Sequence, residues 1–122
     1  MTRSILVVDD SPSVRQMIAR TLQGAGYTVD TAVDGQDALE KTQRKPFNAV
    51  ITDQNMPRLD GLGFCKAFRS KPENSGVPVV FLSTESEAAI KEKARSAGAI
   101  GWMVKPFDQE KLLSVVRKLV GA

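Results

Sequence analysis

Histidine is absent from this sequence, and cysteine occurs once, as Cys65. The first absence removes imidazole acid–base catalysis and imidazole metal ligation together. The second rules out an intramolecular disulfide and fits a reducing compartment. Leu62 and Phe68 flank Cys65 at helical spacing, so it reads as a core position rather than a nucleophile. Aromatic residues make up only 6% of the chain, and the basic residues are scattered without an Arg/Lys tract. Direct nucleic-acid binding is therefore not expected, despite a net charge of +3 and a pI of about 9.2. Apolar runs such as "VVFL" are far too short to cross a bilayer, so no membrane insertion is expected. The opening "MTRSILVVDD" is not a signal peptide, because its brief apolar stretch ends in acid. Cytoplasm is the expected location.

What the chain does have is regular alternation. Short apolar runs, "ILVV" (5–8), "TVDTA" (28–32), "NAVIT" (48–52), "VPVVFL" (77–82) and "IGWMV" (100–104), are separated by segments of helical period. The helical stripes are Val14, Met17, Ile18 and Leu22; Ala38, Leu39 and Thr42; Leu62, Cys65 and Phe68; Ala89, Ile90, Ala94 and Ala97; and Leu112, Val115, Val116 and Leu119. Ser11 before Pro12 makes an N-cap with proline at the first helical position, and Asp108 can cap the last helix. Gly24 and Gly98 fall where helices should stop. Five β–α repeats within 122 residues, with no linker, predict a single α/β domain over 1–122 with a parallel, doubly wound sheet. No output domain is expected to follow. The central runs are apolar on both parities, as a sheet covered on both faces requires, whereas "TVDTA" alternates and reads as an edge strand.

In such a sheet, functional residues collect at the carboxyl ends of the strands. Asp9 and Asp10 end the first run, Asp53 the third, Ser83 and Thr84 the fourth and Lys105 the fifth. Two adjacent carboxylates at the end of a buried strand are costly unless something positive sits against them. If the first and third strands are neighbours, three carboxylates face one crevice beside a hydroxyl and an ammonium. Acidic oxygens without imidazole or thiolate suit a hard divalent cation, Mg²⁺ best. A carboxylate so placed is also a phosphoryl acceptor, able to form an aspartyl phosphate.

"VVDDS", "TDQNMPRLDG", "LSTES" and "KPF" together resemble the receiver domain of two-component response regulators, specifically the stand-alone CheY type. The resemblance covers about residues 4 to 120. It implies a flavodoxin-like (βα)5 fold with strand order 2-1-3-4-5, an order that belongs to the family and is not obtained from the periodicity. By the same resemblance, Asp53 is the phosphorylated aspartate, Asp10 a direct Mg²⁺ ligand, Asp9 a ligand through water, and Asn55 lends its backbone carbonyl. Lys105 pairs with the phosphoryl group, and the Lys105–Pro106 bond is expected to be cis. Ser83 is the hydroxyl that moves to the phosphoryl oxygen, and Trp102 stands in for the aromatic switch residue that moves inward on activation. Asn55 and Glu85 would orient the water that hydrolyses the phosphoryl group. The chain would then catalyse only its own phosphorylation and dephosphorylation, with no other enzyme activity.

Three positions depart from the best-known members: Gln54 replaces an aromatic, Thr84 a small residue, and Trp102 a Tyr or Phe. The implied partners are a histidine kinase as phosphodonor and an output protein docking on the fourth helix, fifth strand and fifth helix, as at the flagellar switch in chemotaxis. That face would carry Lys91, Lys93, Arg95, Lys111, Arg117 and Lys118, and a monomer is expected. A relay intermediate or phosphate sink outside chemotaxis uses identical chemistry. A haloacid-dehalogenase-like phosphatase also uses Asp, Ser/Thr, Lys and an acidic pair around Mg²⁺. It wants a second Asp where this chain has Asn55, and would place the acidic pair late. A flavin-mononucleotide carrier shares the architecture, but the carboxylates of "DDSPS" would repel its phosphate.

Overall fold

The computed structural model describes residues 3–121. Its elements run β1 (Ser4–Val8), α1 (Pro12–Gly24), β2 (Thr28–Ala32), α2 (Gly35–Arg44), β3 (Ala49–Thr52) and α3 (Gly61–Arg69). A short 3₁₀ turn (Pro72–Asn74) follows, then β4 (Val79–Ser83), α4 (Ala88–Ser96), β5 (Gly101–Val104) and α5 (Gln109–Val120). All strand pairs are parallel and the order is β2-β1-β3-β4-β5, as the resemblance implied. The alternating strand β2 is indeed an edge.

The pleat explains why the central runs are apolar at every position. In β1, Ile5 and Val7 point into one core with Ile18, Leu22, Leu112 and Val116 of α1 and α5. Leu6 and Val8 point the other way, into a core with Ala38, Phe64, Phe68 and Ala94 of α2, α3 and α4. β4 divides likewise, with Val80 and Leu82 on the first face and Val79 and Phe81 on the second. Phe64 and Phe81 are fully buried, and each contributes about 1.5–3 kcal/mol by leaving water.

Helix ends follow local chemistry. The Ser11 hydroxyl accepts the Val14 N–H with Pro12 at the first helical position, and Asp108 accepts the Glu110 N–H, both as expected. Asp34 and Asp60 cap α2 and α3 in the same way. Gly24 proves to be the last residue of α1, and the left-handed turn that ends it falls on Gly26, at φ 99°. Gly98, at φ 106°, terminates α4 where expected.

Two stripe residues face water. Met17 is 47% exposed, because the buried side of α1 turns through Ile18, Ala19 and Leu22 instead. Ala89 is exposed because the first turn of α4 stands off the sheet, leaving Ala94 as that helix's buried residue. Ile100 lies just outside β5 and is 60% exposed. Cys65 is fully buried, its thiol donating to the Ala97 carbonyl, and burial pushes its pKa up, as suits a core residue.

Candidate functional site

Register brings the acidic residues together. Val8 pairs with Thr52 across β1 and β3, and the Asp53 N–H donates to the Val8 carbonyl at 2.9 Å. Asp9 and Asp53 therefore leave adjacent strands at the same height. The carboxylates of Asp9, Asp10 and Asp53 each place an oxygen within 4.8 Å of the others. Asp9 is 1% exposed and Asp53 8%, whereas Asp10 is open to solvent.

Lys105, at the end of β5, reaches back over this cluster. Its Nζ donates to Asp9 Oδ2 at 2.7 Å and to Asp53 Oδ2 at 3.2 Å. The Lys105–Pro106 bond is cis, as expected. The second oxygen of each carboxylate is also held: Asp9 Oδ1 accepts the Ser11 N–H at 2.9 Å, and Asp53 Oδ1 the Gln54 N–H at 2.7 Å. Arg15 supports the same corner by donating to the Asp9 carbonyl at 2.7 Å.

The electrostatics record the competition. Burial pushes the Asp9 carboxyl up, and Lys105 and the Ser11 N–H offset only part of that. Burial is also the largest influence on Lys105 and works against its charge, yet Asp9 and Asp53 together outweigh it and hold the ammonium above its ordinary pKa. One lysine thus faces three carboxylates. That surplus of negative charge, made of oxygen donors alone, fits a hard divalent cation.

Ser83 ends β4 with its side chain fully buried, and its Oγ accepts the Glu85 N–H at 3.3 Å. Thr84 is exposed beside it. The Glu85 carbonyl in turn accepts the Trp102 indole N–H at 2.8 Å. The Trp102 ring lies nearly parallel to Phe81, with centroids 5.0 Å apart. The ring is half-buried with its polar handle satisfied, because Phe81 supplies a flat apolar partner.

Two features of the site were not read from the sequence. Gln54 is buried, its amide donating to Asp60 Oδ2 at 3.2 Å and accepting the Leu62 N–H at 2.9 Å. This amide ties the residue after Asp53 to the start of α3, work that an aromatic at position 54 could not do. Arg58 forms a forked ion pair with the buried Asp34, which holds that carboxyl below its usual range. Acid followed by glycine at 34–35 and 60–61 was the available signal for the two caps. Asn55 is exposed on the loop between these anchors.

On the far side of β5, the candidate output residues Lys91, Lys93, Arg95, Lys111, Arg117 and Lys118 are all exposed. A cleft of about 310 Å³ runs between α4 and β5, lined by Lys91, Ala94, Arg95, Ile100 and Trp102 among others. Among the described residues, no helix is long and apolar enough to cross a membrane.

A five-stranded parallel sheet with a lysine bridging two carboxylates at its carboxyl edge makes an acidic site suited to a divalent cation and a phosphoryl group. Residues 5–117 match the response regulator receiver domain family, and the chain belongs to that family. This membership removes the dehalogenase-like and flavin-carrier alternatives. Response regulator MprA of Mycobacterium ulcerans is 38% identical over 120 residues, 98% of this chain and 51% of that protein. The probable transcriptional regulator ycf27 of Cyanophora paradoxa is 36% identical over 118 residues, 97% of this chain and 48% of that protein. The chain thus spans about half the length of the curated relatives it matches. Among solved structures, chemotaxis protein CheY4 of Vibrio cholerae is similar at a TM-score of 0.93 and 43% identity, over 98% of this chain and 99% of that one. The receiver domain of sensor histidine kinase PA1611 from Pseudomonas aeruginosa, solved with magnesium in its active-site cleft, is similar at a TM-score of 0.91 and 26% identity, over 100% of both chains.

Proposed function

We propose that this receiver domain is a phosphorylation-controlled protein switch in which Asp53 accepts a phosphoryl group from a phosphohistidine of a histidine kinase. The observation that carries the reading is the Lys105 ammonium between Asp9 and Asp53, with Asp10 completing the cluster. An Asp53 oxygen attacks phosphorus, the P–N bond breaks, and the imidazole leaves. Asp10, Asp53 and the Asn55 carbonyl would hold Mg²⁺ directly, with Asp9 contributing through water. Bound there, the cation would supply charge neutralisation on the phosphoryl oxygens. Lys105 then turns from bridging two carboxylates to neutralising the phosphoryl group. Ser83 donates its hydroxyl to a phosphoryl oxygen, and Asn55 and Glu85 orient the water that later hydrolyses the aspartyl phosphate. Catalysis is confined to the chain's own phosphorylation and dephosphorylation.

Output leaves through α4, β5 and α5, where exposed cations favour an acidic partner segment. A cytoplasmic chemotaxis role, docking as a monomer on a flagellar switch protein, is supported by the 43% identity to a chemotaxis protein over nearly the whole of both chains. The longer curated relative ycf27, a probable transcriptional regulator, supports a second reading, phosphorylation-dependent control of transcription. Capture of partners by phosphorylated and unphosphorylated protein separates the two. For the chemistry itself, intact mass after incubation with acetyl phosphate and Mg²⁺ should rise by one phosphoryl group. Asp53→Asn should take up none, and undiminished uptake by that variant would overturn the assignment.

A further inference from the structure

The loop between Asp53 and α3 contains a backbone conformation that calls for a cause. Arg58 has φ 65°, in the left-handed region that residues other than Gly, Asn and Asp seldom adopt. The Leu59 N–H donates to the Pro57 carbonyl at 2.7 Å, so residues 57–59 form a γ-turn about Arg58, and the positive-φ form of that turn is rare and strained. Glycine would adopt it freely. An unfavourable backbone of this kind persists only where its surroundings over-determine it, and such positions cluster at functional sites.

The surroundings are identifiable. Arg58 Nε donates to Asp34 Oδ2 at 2.7 Å and Nη2 donates to Asp34 Oδ1 at 3.0 Å, a planar fork on a carboxylate that is 4% exposed. Asp34 is itself fixed, because its Oδ1 accepts the Asp37 N–H at 2.8 Å as the cap of α2. Its neighbour Gly35 donates to the Leu59 carbonyl at 2.9 Å, and a Cβ on Gly35 would collide with that same oxygen. The loop is thus pinned at one end by the Gln54 amide and at the other by the Arg58 fork. Asn55 lies in the short stretch between.

We propose that Arg58 is a positioning residue for the metal site: its forked pair with Asp34 holds the 57–59 turn in place and so sets where the Asn55 carbonyl stands relative to Asp10 and Asp53. The proposal rests on the Mg²⁺ site described under the proposed function. A lysine, with one compact charge on a flexible stem, reproduces the attraction but not the fork.

Calorimetric Mg²⁺ titration of the phosphate-free protein tests it, with amide exchange over residues 55–59 as a second readout. Arg58→Gly removes the fork and relieves the backbone, so it should stay folded. Its Mg²⁺ affinity should nevertheless fall about tenfold, the scale of losing a group that orients a ligand, and its loop amides should exchange faster. Arg58→Lys should recover part of the affinity. Asp34→Asn keeps a competent cap and should match Arg58→Gly. The double variant should be no weaker than either single one, as for two residues acting as a unit. Wild-type uptake of Mg²⁺ with Arg58→Gly unchanged overturns this proposal alone. Failure of the wild-type protein to take up Mg²⁺ at millimolar concentration overturns the metal reading and this proposal together.

Discussion

The loops that follow Asp53 and Ser83 leave neighbouring strands at the same edge of the sheet, yet they are built in opposite ways. The first is pinned at both ends. Gln54 bonds to Asp60 and to the Leu62 N–H, Arg58 forks onto Asp34, and Asp60 caps α3. The second has few attachments. Thr84, Ser86 and Glu87 are exposed, Glu87 makes no side-chain bond to cap α4, and α4 buries only Ala94. What holds it is the Ser83–Glu85 bond and the Glu85–Trp102 bond. A segment with few buried contacts opens at low free energy. Rigidity is therefore placed where the proposed metal ligand must be presented, and looseness where the proposed signal must leave. The residues that tether the loose loop are the proposed switch residues themselves.

The sharpest way to break this contrast is steric. A Cβ on Gly61 would overlap both the Asp53 carbonyl oxygen and the Phe81 ring. Neither can yield, since one is backbone beside the site and the other is fully buried. Gly61→Ala should cost about 3 kcal/mol in urea unfolding, the upper end of overpacking penalties. Ala89→Ser, on the exposed first turn of α4, should stay within about 0.5 kcal/mol of wild type. Equal losses from the two would mean that both loops are equally constrained.

A smaller effect separates the loops by pH. Asp34 loses both its capping role and its arginine in Asp34→Ala, and loss of the cap alone should cost about 1 kcal/mol. The folded-state pKa of Asp34 lies below the ordinary value of 3.8, chiefly because of Arg58. Its stabilisation is therefore fully present above pH 3.8 and is lost as pH falls through the depressed folded value. The wild-type stability curve should drop more steeply than that of Asp34→Asn below pH 3.8. Parallel curves in urea titrations across that range would show that Arg58 does not favour the charged form.

How much of this was legible follows from how local each cause is. Strands β1, β3 and β4 are apolar at nearly every position, so burial on both faces could be read directly. The cluster of Asp9, Asp10, Asp53 and Lys105 was legible because strand ends carry the residues and parallel order brings strand ends together. The strand order itself came from family resemblance. Helix stripes were read too broadly at Met17 and Ala89, since a period of three and four marks a face but not how closely that face approaches the sheet. The Arg58–Asp34 fork joins residues 24 positions apart, and no spacing rule reports such a pair. The orientation of Trp102 depends on Phe81 across a strand pairing, which sequence spacing alone does not reveal.

Trp102 gives the finest test, because it is the only tryptophan and its indole N–H is held by the loose loop. Gln54 leaves no aromatic beside Asp53, so Mg²⁺ by itself should barely alter emission. Phosphorylation, or beryllofluoride with Mg²⁺, should draw the Ser83 hydroxyl toward the phosphoryl group. The Glu85 N–H then loses its acceptor, and the Glu85 carbonyl that holds the indole N–H shifts with it. The ring already stacks on Phe81, so the expected response is a change of partner and exposure rather than entry from solvent. Such a response is a population shift between two packings, driven by the better contacts of the phosphoryl group in one of them. Ser83→Ala should still accept the phosphoryl group but show a smaller emission change, because the loop has lost the bond through which it is pulled. Identical spectra for free, Mg²⁺-bound and beryllofluoride-bound wild-type protein would fix Trp102 in place. The looseness of the β4–α4 loop would then serve something other than this aromatic, and the exposed cations of α4 and α5 would have to respond without it.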